Sequence, residues 1–114
     1  MRPKAMTAML FALVVSTETA ADTWQTRGVL IEDRSSKSCD KVLEPSTLDF
    51  AENKLSLTNR FGKMFTVTVP VDGTVKHQYK SPSGARLEIS GNAKTRELKL
   101  LNTGNHCWWS LDPI

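Results

Sequence analysis

Residues 48–67 read LDFAENKLSLTNRFGKMFTV. Apolar side chains fall at Leu48 and Phe50, at Leu55 and Leu57, and at Phe65 and Val67, each pair two positions apart. A period of two marks a half-buried strand, because successive side chains of a strand point to opposite faces. The breaks between these runs are turn-formers. A two-residue turn at Glu52-Asn53 sets Phe50 opposite Leu55. A three-residue turn, Arg60-Phe61-Gly62, ends in the glycine that such a loop needs in the left-handed conformation. It sets Leu57 opposite Phe65 and Leu55 opposite Val67. A slip of one residue would throw a strand's apolar set onto the wrong face. Both turns preserve a single apolar face, so the stretch is three strands of an antiparallel meander.

The pattern continues in both directions, and no segment carries a helical period. Strands are expected at about 24–32, 47–51, 54–59, 63–70, 74–80, 85–91, 96–102 and 105–111. A loop at Val71-Asp72-Gly73 would pair Val69 with Val75, Val67 with His77 and Phe65 with Tyr79. A four-residue loop, Asn92–Thr95, would pair Ile89 with Leu98 and Leu87 with Leu100. A Thr103-Gly104 loop would pair Leu100 with Cys107 and Leu98 with Trp109. The loop at 81–84 has ambiguous length, and its register stays open. A meander with bare edges invites aggregation, whereas eight short strands can curl until the first meets the last. The expected fold is all-β: a small eight-stranded antiparallel up-and-down meander or barrel with one disulfide. Trp109 then faces inward in a layer with Ile89 and Leu98. Trp108 faces outward, with Lys99 as its hairpin neighbour, within reach of a cation–π contact.

Residues 1–21 read as an export signal: Arg2 and Lys4, an apolar run from Ala5 to Val15, then small residues at Thr19-Ala20-Ala21. The mature domain is then 22–114, 93 residues with 13 Lys/Arg and 11 Asp/Glu, a net charge of +2. The apolar run is too short to span a bilayer, and the mature chain has no transmembrane segment. A charge this mild argues against nucleic-acid binding. The expected destination is the periplasm or the medium, where the only two cysteines, Cys39 and Cys107, would form a disulfide. Closing a loop of that length stabilises the fold by roughly 4 kcal/mol on the chain-entropy model.

The chemistry-bearing residues are few. There is no Gly-rich phosphate loop, no paired-Cys metal spacing and no nucleophile-elbow serine, so neither a catalytic residue nor a metal or cofactor site is assigned. His106 adjoins Cys107, but a disulfide sulfur offers no thiolate. Glu88 and Glu97 face outward as solvated strand carboxylates. His77 and Tyr79 lie on the inner face, either as core or rim residues or as ligand contacts of a barrel interior.

Up-and-down topology gathers the connections 33–46, 60–62, 81–84 and 103–104 at one end. That end carries Arg34, Lys37, Lys41, Arg60, Lys63, Lys80 and Arg86 against Asp33, Asp40 and Glu44. Such asymmetry points to an anionic partner, either an acidic protein or a polyanionic envelope component. The candidate contact residues are Arg34, Lys37, Lys41, Arg60, Lys63, Ser83 and Arg86, with Trp108 as an aromatic anchor on the outer face.

Ser83-Gly84-Ala85-Arg86 resembles the Ser-Gly-Ala-Arg stretch of bacterial periplasmic C-type lysozyme inhibitors. The resemblance implies an exported eight-stranded barrel with a Cys near each end of the domain. It also implies loops carrying Ser and Lys that enter an acidic lysozyme cleft. Leu87 stands where that family usually has tyrosine, and the strand before Cys39 is additional. The expected function is that of an exported non-catalytic binding protein with a basic loop end. The alternatives are a small-ligand carrier using the barrel interior, a lysozyme-inhibitor-like protein and a structural envelope component.

Overall fold

The computed structural model describes residues 22–33 and 39–114. The expected leader, and Arg34 and Lys37 of the basic end, lie outside the described residues. Eight strands follow one another: β1 (Asp22–Asp33), β2 (Ser46–Ala51), β3 (Lys54–Asn59), β4 (Gly62–Thr68), β5 (Thr74–Lys80), β6 (Arg86–Asn92), β7 (Glu97–Asn102) and β8 (Cys107–Pro113). They form one antiparallel sheet in the order β4-β3-β2-β1-β8-β7-β6-β5. The first strand therefore pairs with the last, and the sheet curls into a nearly closed barrel. Cys39 and Cys107 are bonded, with their Cα atoms 5.9 Å apart. No helix among the described residues is long and apolar enough to cross a membrane.

The inner face is the apolar face read from the sequence. Leu48, Leu55 and Ile89 are fully buried, and Trp24, Leu57, Phe65, Leu98, Leu100, Trp109 and Leu111 nearly so. Phe50 pairs with Leu55, Leu57 with Phe65 and Leu55 with Val67, as the turns require. Glu52 and Asn53 both take positive φ, at 52° and 64°, the geometry of the two-residue hairpin turn that matches strand twist.

Three expected registers are corrected. Ile89 pairs with Leu100 rather than Leu98, and Leu87 pairs with Asn102. Trp109 pairs with Leu100 rather than Leu98, and Cys107 with Asn102. Each slip is two residues, so each side chain keeps its face. The cause lies in two turns built alike. Asn92 Oδ1 accepts from the N–H groups of Lys94 and Thr95, and Asn102 Oδ1 from those of Gly104 and Asn105. Both turns close on a left-handed residue, Arg96 at φ 63° and His106 at φ 61°. These asparagine-led turns hold four residues, 93–96 and 103–106, between the paired strands.

The third correction concerns β4 and β5, which make no ladder with each other. Pro70 contributes no N–H, and the segment around it is tied elsewhere. Val69 N–H donates to Asn53 O at 2.7 Å, and Ala93 N–H donates to Gly73 O at 2.8 Å. Asn92 Nδ2 holds Asp72 O at 3.0 Å. The turn thus crosses the end of the barrel between two other hairpins.

Gly62 and Gly73 have positive φ, 111° and 87°. A Cβ on Gly62 would meet nothing within 4 Å, whereas one on Gly73 would lie 2.5 Å from Asn92 Oδ1. That oxygen already accepts two backbone bonds and is not free to retreat. Gly62→Ala is expected to cost about 1 kcal/mol through backbone strain alone. Gly73→Ala is expected to cost about 2 kcal/mol or more, because a steric clash is added. Urea unfolding midpoints check the order; equal shifts would mean that Asn92 is not locked in its turn.

Candidate functional site

One end of the barrel is plugged. Trp24 and Ala93 are buried there, and the Arg96 guanidinium stacks 4.7 Å above the Trp24 ring. Arg96 also forms an ion pair with Asp22, which seals the first residue of β1 against the 93–96 turn.

The opposite end gathers the segment 39–45, the turn at Arg60-Phe61, the loop 81–85 and the turn 103–106. Segment 39–45 is a strap laid across the barrel rim. The disulfide pins it, Trp109 Nε1 donates to Asp40 O at 2.7 Å, and Leu30 N–H donates to Lys41 O at 2.8 Å. Leu43 N–H bonds Gly28 O at 2.8 Å, and the Leu43 side chain packs over Gly28. A Cβ on Gly28 would come within 2.7 Å of Leu43, so glycine is what admits the strap. Below it lies a space of about 180 Å³, bounded by Leu43, Leu57, Tyr79, Leu87 and Leu100.

The loop 81–85 is held by its own bonds. Ser81 N–H donates to Ala85 O and Gly84 N–H to Ser81 O, both at 2.9 Å. Ser81 Oγ accepts from Ala85 N–H at 3.1 Å and lies 2.9 Å from Ser83 Oγ. Gly84 supplies positive φ, at 92°. Pro82, Ser83 and Gly84 are exposed at its tip, and Lys80 pairs with Arg86 across its base. Thr103 ties that base to the neighbouring turn by donating its N–H to Arg86 O at 2.9 Å. Beside the base runs an open groove of about 540 Å³ lined by Gln78, Lys80, Arg86 and Thr103.

Of the basic residues singled out by sequence, Lys41, Lys63 and Arg86 are exposed at or near this end, as is Lys80, and none of these makes an ion pair among the described residues. Arg60 differs. It pairs with Glu44 at 3.1 Å and stacks 4.7 Å over Phe61, tethering the strap to the β3–β4 turn. Trp108 is half-buried on the outer face, between Leu101 and Glu32. The expected Lys99 neighbour stands opposite Ser110 instead, a result of the two-residue register shift. Exposed Val29, Ile31 and Val42 lie on the adjoining stretch of β1 and on the strap.

His77 and Tyr79 face the interior, half-buried, and stack on Phe65 at centroid distances of 5.0 and 4.8 Å. These rings wall the gap between β4 and β5. Leu43, the Trp109–Asp40 bond and the Arg96 cap were not legible from spacing, since each joins segments far apart in the chain. Among the described residues, no group of three His, Cys, Asp or Glu side chains is placed to hold a metal. Comparison with family models, curated proteins and solved structures returned no match.

Burial pushes the Tyr79 phenol up from 10.0 to about 12. The unfolded chain gives up this proton first, so stability present below pH 10.0 is lost as the pH climbs towards 12. The loss is on the order of 2–3 kcal/mol. Tyr79 is the only tyrosine, so tyrosinate absorbance reads it alone. After a rapid pH jump, the native protein should titrate near 12 and the urea-unfolded chain near 10. A native midpoint near 10 would place the ring in water.

Proposed function

We propose that this is an exported, non-catalytic binding protein that presents its basic loop end to an acidic partner. The observation that carries this reading is the self-bonded loop 81–85, with Ser83 exposed at its tip and cationic Lys80 and Arg86 at its base. A preorganised loop loses little entropy on docking. Lys41 and Lys63 extend the positive surface without internal carboxylate partners among the described residues. The disulfide fits an oxidising compartment. The Ser83–Arg86 resemblance gives the target class a specific form, a C-type lysozyme with an acidic cleft. The carrier reading is the weaker one, because apolar side chains fill the barrel interior and the space that remains lies at the rim around the strap.

Two measurements test this. The purified mature domain should slow cell-wall lysis by a C-type lysozyme, and Ser83→Glu should abolish the effect by placing a carboxylate in an acidic cleft. In pull-downs from envelope extract, reversing Lys41, Lys63 and Arg86 to Glu should reduce partner capture by at least about tenfold, and added salt should weaken it. Reversing Lys54, Lys94 and Lys99, away from this end, matches the charge change and should do much less. Equal losses would reduce the effect to net charge. Loss with Trp108→Ala alone would move the docking face to the outer side of β8.

A further inference from the structure

The two ends of the sheet, β4 and β5, face each other along a seam that no ladder closes. Which backbone groups enter the seam follows from the bonds made on the far side of each strand. Val69 N–H donates to Asn53 O, so the odd-numbered residues at this end of β4 turn towards β3. Gly73 O accepts from Ala93, and Ser81 N–H donates to Ala85 O, so the odd-numbered residues of β5 turn towards β6. In an antiparallel strand, both polar groups of a residue point one way and its neighbours' point the other. Thr66 and Thr68 on β4, and Lys76, Gln78 and Lys80 on β5, therefore aim their N–H and C=O groups into the seam.

The side chains on either side differ. Inside, Phe65 meets His77 and Tyr79, a continuous aromatic wall. Outside stand Lys63, Thr66, Thr68, Lys76, Gln78 and Lys80, all exposed. Together β4 and β5 carry three lysines and no carboxylate. A groove of about 280 Å³ lies between Val67-Thr68 and Thr74-Lys76 at one end of the seam.

We propose that the edge of β5 receives an extended acidic segment of a partner protein, which adds to the sheet as a further strand. The unpaired backbone groups supply the hydrogen bonds that strand addition uses. A second copy of this chain would bring the same lysines against themselves, and such edge lysines are a known deterrent to self-pairing. Carboxylates at alternate positions would meet Lys76 and Lys80, and apolar residues between them would cover His77 and Tyr79. This site runs along β5 beside the loop end, and Lys63, Gln78 and Lys80 border both.

The probe is a blocked heptapeptide alternating glutamate and valine. With the peptide saturating, amide hydrogen exchange at Lys76, Gln78 and Lys80 should slow by at least about tenfold, while Val75, His77 and Tyr79 stay protected throughout. A lysine–valine peptide, and a glutamate–valine peptide N-methylated on alternate residues, should slow nothing. Lys76→Glu with Lys80→Glu should weaken binding by on the order of tenfold. Reversing Lys41 and Arg86 alone, which leaves the lysines of β4 and β5 in place, should retain most of it, so failure here and failure of the loop-end reading are separable. Three results would overturn the proposal: no slowing with the acidic peptide, equal slowing with the basic one, or protection of the three amides in the protein alone. The last would mean that the seam closes on β4 or on a second copy.

Discussion

Everything in this barrel depends on the stagger of β1. The strand is twelve residues long and meets its two neighbours over different halves. Asp22–Thr26 pair with β2, Thr26–Asp33 pair with β8, and only Thr26 is shared. Thr26 is fully buried there, and its hydroxyl donates to Asp112 O at 3.0 Å, so its own side chain is not left unpaired. Each half of β1 would otherwise expose one bare edge. The strap covers the upper one through its bonds to Gly28 and Leu30, and Ile114 N–H covers part of the lower by donating to Gln25 O at 2.9 Å. Fraying of β8 would open the barrel. Cys107 and Trp109 oppose it, one bonded to the strap and the other holding Asp40 O.

The stagger also makes the two ends unlike. Where β1 begins, the Arg96–Asp22 pair lies over the Trp24 indole and fills the opening. Where β1 ends, the strap occupies its edge, and β2 pairs only with the lower half. The rim there is crossed by Leu43 rather than filled, which leaves the small space beneath it. Loops therefore crowd at the open end, and loop positions are where charged side chains lose least by being exposed. The cationic surface and the incomplete core have a common structural origin.

Most of the fold was legible because a strand's face depends only on parity. The two registers that slipped did so by two residues, which moves a side chain along the strand but leaves it on its face. The sequence offered Gly104 as the turn marker, while the turn that forms is led by Asn102 and closed by His106 in a left-handed conformation. A non-glycine residue there carries no sequence mark. The β4–β5 pairing misled in another way. Its side chains do meet, Phe65 against Tyr79, but the backbones are held apart by Asn53 on one side and Asn92 and Ala93 on the other. Those tethers come from different hairpins and could not be read from the local pattern. In the candidate site, Lys41, Lys63, Ser83 and Arg86 stand where composition and topology put them. The internal use of Arg60 by Glu44 became visible only when the strap was placed.

A net charge of +2 for residues 22–114 understates what a partner would meet. Exposed charges act over roughly 8 Å at physiological ionic strength, so the local balance governs docking. The strands β4 and β5 themselves carry three lysines and no acid, with Asp72 in the turn that joins them and Glu88 opposite Gln78 as the adjoining carboxylates. Outward carboxylates stand on the other strands, among them Glu32 on β1, Asp49 on β2, Glu88 on β6, Glu97 on β7 and Asp112 on β8. Glu88 is engaged with Gln78 at 3.1 Å, and Asp49 with Thr23 at 2.5 Å. Placing lysines along the two unpaired edges opposes their self-association. It also leaves those edges attractive to a strand of opposite sign, and Lys80 carries the same sign of potential on to the base of loop 81–85. An acidic surface approaching from this side would meet positive charge first at the seam and the open end, without any need for a large overall charge on the domain.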